Sequence, residues 1–89
     1  MNMKGLQRRL GESGLSLVWD VDRKFISIGN PNFANPLIWF DPRLPEKDYR
    51  GTVKIKSINS PLFSESQIRN SLMLVDTFLQ TPLGDRDVN

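Results

Sequence analysis

The sequence lacks two residue types on which much protein chemistry depends, because its 89 residues include no cysteine and no histidine. Without cysteine there is no disulfide scaffold, no thiol nucleophile and no cysteine-ligated zinc or iron–sulfur site. Without histidine the chain has neither the commonest metal ligand nor the usual general base for a serine nucleophile. We therefore predict that the protein is not an enzyme. We also predict no catalytic, cofactor-binding or metal-binding residues and no small-molecule substrate.

Long apolar runs are also missing from the sequence. No stretch approaches the roughly 20 apolar residues that a membrane-spanning helix needs. Residues 1–10 are basic but do not contain the apolar segment of a signal peptide. We expect a cytoplasmic protein that does not enter a membrane.

Neither sign of charge is in large excess, since 12 lysines and arginines and 10 aspartates and glutamates give a net charge of +2. Nucleic-acid-binding proteins usually gather their basic residues on one face, so the positions of these residues matter more than the total. A hydrophobic content of 38% and a charged content of 25% are typical of a soluble globular domain. The length predicts one domain.

Apolar residues with helical spacing predict an amphipathic helix near each end of the chain. Met3, Leu6 and Leu10 follow the pattern of one helical face. Ser64 and Gln67 have the spacing of a capping box, which predicts the start of the second helix. The apolar stripe of the second helix consists of Ile68, Leu72, Val75 and Leu79, with Leu74 and Phe78 beside it.

Four segments between these helices have the pattern of β-strands. Residues 15–21 and 25–29 predict a hairpin with a turn at 22–24, and residues 52–58 alternate between apolar and polar side chains. Residues 37–40 are a continuous apolar run that is too short for a helix and predicts another strand. The predicted inner face carries Leu15, Leu17, Trp19, Val21, Ile26, Ile28, Val53 and Ile55. Leu37 and Trp39 join this face if the third strand turns them toward the helices.

The order of these elements predicts a two-layer α+β fold. Its sheet is an antiparallel meander of three or four strands, and the N- and C-terminal helices pack side by side on one face. Pro82 disfavours helical geometry at Thr81 and ends the last helix. Residues 84–89 show no apolar period, so we predict a domain over residues 1–83 and a flexible tail over 84–89.

This layout resembles a group of small uncharacterised proteins encoded by phages and prophages of Gram-positive bacteria. The resemblance covers nearly the full chain, including the segment SGLSLVWDVDRKFISIGN (13–30). In that group the closing helix runs into a Thr-Pro-aliphatic-x-x-Arg ending. Thr81, Pro82, Leu83 and Arg86 stand at the matching places here, although the middle loops are longer and richer in proline. The resemblance implies an α+β fold and a phage or prophage origin, and it implies no established activity.

An apolar patch on the outer face of the sheet, the face away from the helices, is the main candidate functional feature. If the third strand turns Trp39 toward the helices, its other side chains join the outer face. The resulting interaction patch consists of Val18, Phe25, Ile38 and Phe40. Because exposed apolar patches mark partner surfaces, we expect self-association as a homodimer or binding to a phage or host protein.

A basic surface on the same face supports an alternative function. Its residues are Arg23, Lys24, Arg50, Lys54 and Lys56. Together with Phe25 or Phe40 as a stacking platform, they would form a weak nucleic-acid-binding module. The simpler interpretation is a solvated face whose lysines keep an exposed strand from pairing with a neighbour.

Three aspartates near the turns offer a further candidate site. Asp20, Asp22 and Asp41 could hold magnesium, but aspartate at these places is typical of turn formation. The same element order also occurs in double-stranded-RNA-binding domains. Their basic entry to the last helix is missing here, where SESQIRN (64–70) places Glu65 in the first turn.

Overall fold

The fold is a meander of four strands between two helices. The computed structural model describes residues 1–30, 36–43 and 53–88. The elements are α1 (Met3–Glu12), β1 (Ser16–Trp19), β2 (Ile26–Gly29), β3 (Pro36–Phe40), β4 (Lys54–Ile55), a 3-10 helix (Ser57–Leu62), α2 (Glu65–Gln80) and a second 3-10 helix (Leu83–Asp85). The strands form one antiparallel sheet in the order β1-β2-β3-β4. The predicted α+β fold is confirmed.

Side-chain caps explain where the two helices begin. Asn2 Oδ1 accepts a hydrogen bond from the N–H of Gly5 at 2.9 Å at the start of α1. At the start of α2, Ser64 Oγ accepts from the N–H of Gln67, and Gln67 Oε1 accepts from the N–H of Ser64. The predicted capping box is therefore confirmed. Gln67 Nε2 also donates to the carbonyl oxygen of Ser13 at 2.9 Å, which joins the start of α2 to the end of α1.

Both helices pack on one face of the sheet and share a single hydrophobic core with it. From the helices, the fully or nearly buried apolar side chains are Leu6, Leu10, Leu74, Val75, Phe78 and Leu79. Ile68 and Leu72, which the sequence placed in the centre of the α2 stripe, are only partly buried, so the buried stripe is rotated toward Leu74 and Phe78. No helix of the described segments is long and apolar enough to span a membrane.

The third strand faces the opposite way from the prediction. Ile38 lies opposite Ile28, and Phe40 lies opposite Ile26, so all four side chains share the helix-facing side of the sheet. Ile38 and Phe40 are fully buried. Phe40 packs edge-on against Phe78 of α2, with ring centroids 6.2 Å apart and an interplanar angle of 70°. The prediction that Ile38 and Phe40 lie on the outer face is wrong.

Trp39 consequently lies on the outer face, opposite Ser27 of β2 and Lys54 of β4. The sequence could not fix this choice because residues 37–40 are all apolar and show no alternation. A register shift between Ile28 and Gly29 also changes the pairing along this strand. Leu37 is buried as well, beside the 3-10 helix Ser57–Leu62, which packs on β3.

Two further predictions, for Val21 and Ile55 in the edge strands β1 and β4, are also corrected. Leu17 and Trp19 lie on the helix-facing side as predicted, opposite Ile28 and Ile26. Val21, predicted to be inward, lies beyond the end of β1 in the turn and is 99% exposed. Ile55 lies opposite Ile38 on the predicted side but is 49% exposed, because β4 is a short strand at the edge of the sheet.

Arg86 joins three parts of the chain in an arrangement that we call the C-terminal clasp. Its side chain is fully buried. The guanidinium donates to the carbonyl oxygens of Thr81 (2.7 Å), Leu79 (2.7 Å) and Pro42 (3.1 Å). Two of these carbonyls lie at the end of α2, where the last carbonyls lack helical partners and the helix dipole favours a cation. In addition, the N–H of Met3 donates to the carbonyl oxygen of Arg86 at 2.7 Å.

The clasp changes the interpretation of the chain beyond residue 83, for which the sequence predicted a flexible tail. Leu83–Asp85 forms a 3-10 helix, and both Arg86 and Val88 are buried. The polar composition of this segment led to the prediction of a flexible tail. Its arginine instead donates hydrogen bonds to carbonyl groups that lack helical partners where Pro82 ends α2. Arg86 and Val88 are thus packed against the domain, whereas Gly84, Asp85 and Asp87 are exposed. The arginine of the Thr-Pro-aliphatic-x-x-Arg ending has a structural role.

The orientation of β3 leads to a stability prediction. Phe40→Ala removes a ring from between the sheet and α2 and leaves a cavity, so the free energy of unfolding should fall by about 3–5 kcal/mol. Val18→Ala, at an exposed site on the outer face, should change it by less than about 1 kcal/mol. Urea denaturation measures both. Equal losses in the two variants would contradict the orientation described here.

The clasp leads to a second prediction. Arg86→Met retains much of the side-chain volume but leaves buried carbonyls without a donor, so unfolding free energy should fall by about 2–4 kcal/mol. Arg86→Lys should recover only part of this loss, because an ammonium group cannot reach three carbonyls as a planar guanidinium does. Arg8→Met, at an exposed position of α1, is the control and should change stability by less than about 0.5 kcal/mol. An Arg86→Met variant as stable as the control would show that the clasp contributes nothing.

Candidate binding surface on the outer face of the sheet

A single row of side chains crosses the outer face of the sheet. Val18 lies opposite Ser27, Ser27 opposite Trp39, and Trp39 opposite Lys54, so one residue of each strand contributes to the row. Directly opposed residues of antiparallel strands project to the same face. Val18 is 60% exposed, Lys54 is exposed, and the two central residues are partly exposed.

An aromatic pair lies at the centre of this surface. Phe25, immediately before β2, stacks on Trp39 with ring centroids 4.2 Å apart and an interplanar angle of 23°. The Nζ atom of Lys56 lies 5.8 Å from the centroid of the Trp39 ring, which is a cation–π distance. Trp39 therefore contacts an aromatic ring and a cation while remaining partly exposed. We call Phe25, Trp39, Lys54 and Lys56 the aromatic–basic surface.

A second group of cations lies at the turn between β1 and β2. The guanidinium carbons of Arg23 and Arg43 lie 4.8 Å and 5.2 Å from the centroid of the Trp19 ring. Arg43 Nη1 also donates to the carbonyl oxygen of Arg23 at 3.0 Å. Trp19, predicted to be a core residue, packs against the core but is only partly buried. Lys24, next to Arg23, is exposed.

The nearby aspartates form hydrogen bonds with the backbone. Asp20 Oδ1 accepts from the N–H groups of Lys24 (2.8 Å) and Phe25 (3.3 Å), and Asp41 Oδ1 accepts from the N–H of Arg43 (2.9 Å). The prediction that Asp41 starts a turn is confirmed. Among the residues described, no group of three or more acidic side chains could hold a metal ion.

The structure brings together some of the predicted site residues and separates others. From the predicted apolar patch, Val18 and Phe25 lie on the outer face, whereas Ile38 and Phe40 are buried under the helices. From the predicted basic set, Lys54 and Lys56 lie beside Trp39, and Arg23 and Lys24 lie at the β1–β2 turn. Arg50 falls outside the described residues.

Two residues of this region were not predicted as site residues. The predicted interaction patch required Trp39 to face inward. The strand of Trp39 has no alternating pattern, so the sequence allowed either face. Arg43 approaches Arg23 from 20 residues away in the sequence, and no local pattern signals that contact. Both were missed because pairing between distant segments decides where they lie.

No protein-family model, curated protein or solved structure matches this chain. The resemblance to small phage and prophage proteins stays a prediction.

The aromatic pair itself gives a testable prediction. Phe25→Leu and Trp39→Leu should each reduce stability, and the double variant should lose less than the sum of the two changes, because either substitution alone removes the stacking. The coupling energy in this double-mutant cycle should be about 0.5–1.5 kcal/mol. Urea unfolding of the four proteins measures it. Strictly additive losses would show that the two rings do not interact in solution.

Proposed function

We propose that this protein is a non-enzymatic, cytoplasmic accessory protein of phage or prophage origin that binds single-stranded nucleic acid weakly through its outer face. One observation carries the proposal, namely the stacked Phe25–Trp39 pair with Lys54 and Lys56 beside it. Proteins that bind single strands without strong sequence preference combine aromatic rings, on which bases stack, with cations that contact the phosphates. The aromatic–basic surface supplies both groups on one face of the sheet.

The charges around the surface support this proposal over a purely solvated face. Within the described segments, the ammonium groups of Lys54 and Lys56 form no ion pair, and Asp20 and Asp41 accept hydrogen bonds from the backbone. These lysines are thus available to phosphate oxygens. With few phosphate contacts the affinity remains low and its salt dependence is modest, because each neutralised phosphate of a single strand contributes a slope of only about 0.7 in log K against log salt.

A single strand is a better ligand than a duplex for this surface. Bases of a single strand are free to stack on a protein ring, whereas those of a duplex are already stacked on one another. The first turn of α2 also lacks the basic residues that double-stranded-RNA-binding domains carry there. It contains Glu65, whose carboxylate repels phosphate.

Contact with another protein is the second candidate, and the exposure of Val18 favours it. The apolar area is nevertheless smaller than the sequence predicted, because Ile38 and Phe40 belong to the core. This loss is why nucleic-acid binding, the alternative at the level of sequence, becomes the first candidate.

Fluorescence anisotropy with a labelled oligothymidylate tests the proposal. The wild-type protein should bind at low salt, and Lys54→Ala combined with Lys56→Ala should reduce the magnitude of the salt slope by about 1.4 if each lysine contacts one phosphate. Trp39→Leu should weaken binding by about 1–3 kcal/mol through lost stacking.

The matched control combines Lys4→Ala with Arg8→Ala, two exposed cations of α1 in the other layer of the fold. It removes the same net charge and should leave the salt slope unchanged. Equal losses of affinity in both double variants would show that the effect comes from net charge alone. No detectable binding at low salt would exclude the proposed function.

A further inference from the structure

The two edges of the sheet differ in their protection against pairing with another strand. The β4 edge has only two residues, Lys54 and Ile55, and Lys56 follows directly after them. Short length and lysine are common ways to protect an edge. The β1 edge is four residues long and contains no charged residue, no proline and no register shift. It is the unprotected edge of this sheet.

The pairing pattern of the hairpin shows which backbone groups of β1 point outward. The N–H of Asp20 donates to the carbonyl oxygen of Phe25 at 3.0 Å, so this pair is hydrogen-bonded. Hydrogen-bonded residues alternate along an antiparallel strand. The N–H and C=O groups of Leu17 and Trp19 therefore point away from β2. Across the described part of the chain, these outward groups have no hydrogen-bond partner.

We propose that the β1 edge pairs with β1 of a second copy of this chain, antiparallel and centred on Val18. In this register Leu17 lies opposite Trp19 of the second copy, and Trp19 lies opposite Leu17 of the second copy. All the outward groups of both residues then form hydrogen bonds. The pairing joins two four-stranded sheets into one continuous sheet and brings the two outer faces side by side.

The β1 edge is complementary to β1 of a second copy because its outward backbone groups are symmetric about Val18, as a two-fold axis requires. The two Val18 side chains would face each other as a non-hydrogen-bonded pair, in which Cα atoms are about 4.5 Å apart and side chains pack closely. Each is 60% exposed in the single chain and would be covered.

Charge does not oppose this arrangement. Ser16–Trp19 carries no charge, and the nearest carboxylate, that of Asp20, would lie opposite Ser16 of the other copy rather than opposite another carboxylate. A chain of this length buries a limited fraction of its surface by itself, so the added strand pairing and apolar contact would stabilise the small domain. This inference is independent of nucleic-acid binding.

Because the chain has no cysteine, a single introduced thiol reports on the pairing without interference. Val18→Cys should form an intermolecular disulfide rapidly under mild oxidation, since the expected Cα separation of about 4.5 Å lies within the range that disulfides span. The control is Met73→Cys, at a residue of α2 that is 59% exposed and distant in sequence from β1. It should form covalent dimer far more slowly.

Sedimentation equilibrium provides the second measurement. The unmodified protein should dimerise in a concentration-dependent manner, and Val18→Lys should raise the dimer dissociation constant at least about tenfold through opposed like charges. Val18→Glu alone should do the same. An equimolar mixture of Val18→Lys and Val18→Glu should regain the dimer, which distinguishes lost pairing from failure to fold.

Three results would overturn the proposal. The first is that the wild-type protein stays monomeric at millimolar concentration. This includes the case in which its β1 edge binds extended peptides of other proteins. The second is equal cross-linking of the Val18→Cys and Met73→Cys variants. The third is a charge-swapped mixture that stays monomeric although both variants fold.

Discussion

The packing of Phe40 against Phe78 is the contact on which the composition of the outer face depends. Because side chains alternate along a strand, placing Phe40 against α2 also places Ile38 in the core and Trp39 on the outer face. With the opposite orientation, Ile38 and Phe40 would lie on the outer face beside Val18 and Phe25, as the sequence predicted. With the observed one that face carries an aromatic pair beside lysines, and the chemistry of the surface changes from apolar association to stacking and charge.

A second constraint holds the two ends of the domain together. Pro82 ends α2, and Arg86 then binds the carbonyl groups left at the helix end as well as the carbonyl of Pro42. The backbone of Arg86 also accepts a hydrogen bond from the start of α1. The short motif on which the resemblance to phage proteins partly rests is therefore explained by folding, and it gives no direct information about a ligand.

The sequence predicted those features whose signals are local. The α2 capping box needs only Ser64 and Gln67, and the β1–β2 hairpin follows from alternation around a polar turn. The side of β3 could not be predicted, because four consecutive apolar residues carry no period. The clasp was missed because the side chain of Arg86 binds Pro42, 44 residues away in the sequence, and its carbonyl oxygen binds Met3, at the other end of the chain. Arg86 also lies in a segment of polar composition. The lysines of the candidate surface were found, but their aromatic partner was not, because Trp39 depends on the orientation of β3.

The central claim is that the outer face, with Trp39 at its centre, is the part of the molecule that meets a ligand. Trp39 and Trp19 are the only tryptophans of the chain, so an isotope-labelled sample gives two indole N–H signals, one from each face of the sheet. The most direct measurement is an NMR titration of these signals with a short oligothymidylate at low salt. The Trp39 signal should shift saturably, and the Trp19 signal should change much less. A titration in which neither signal moves, or in which only Trp19 responds, would contradict it.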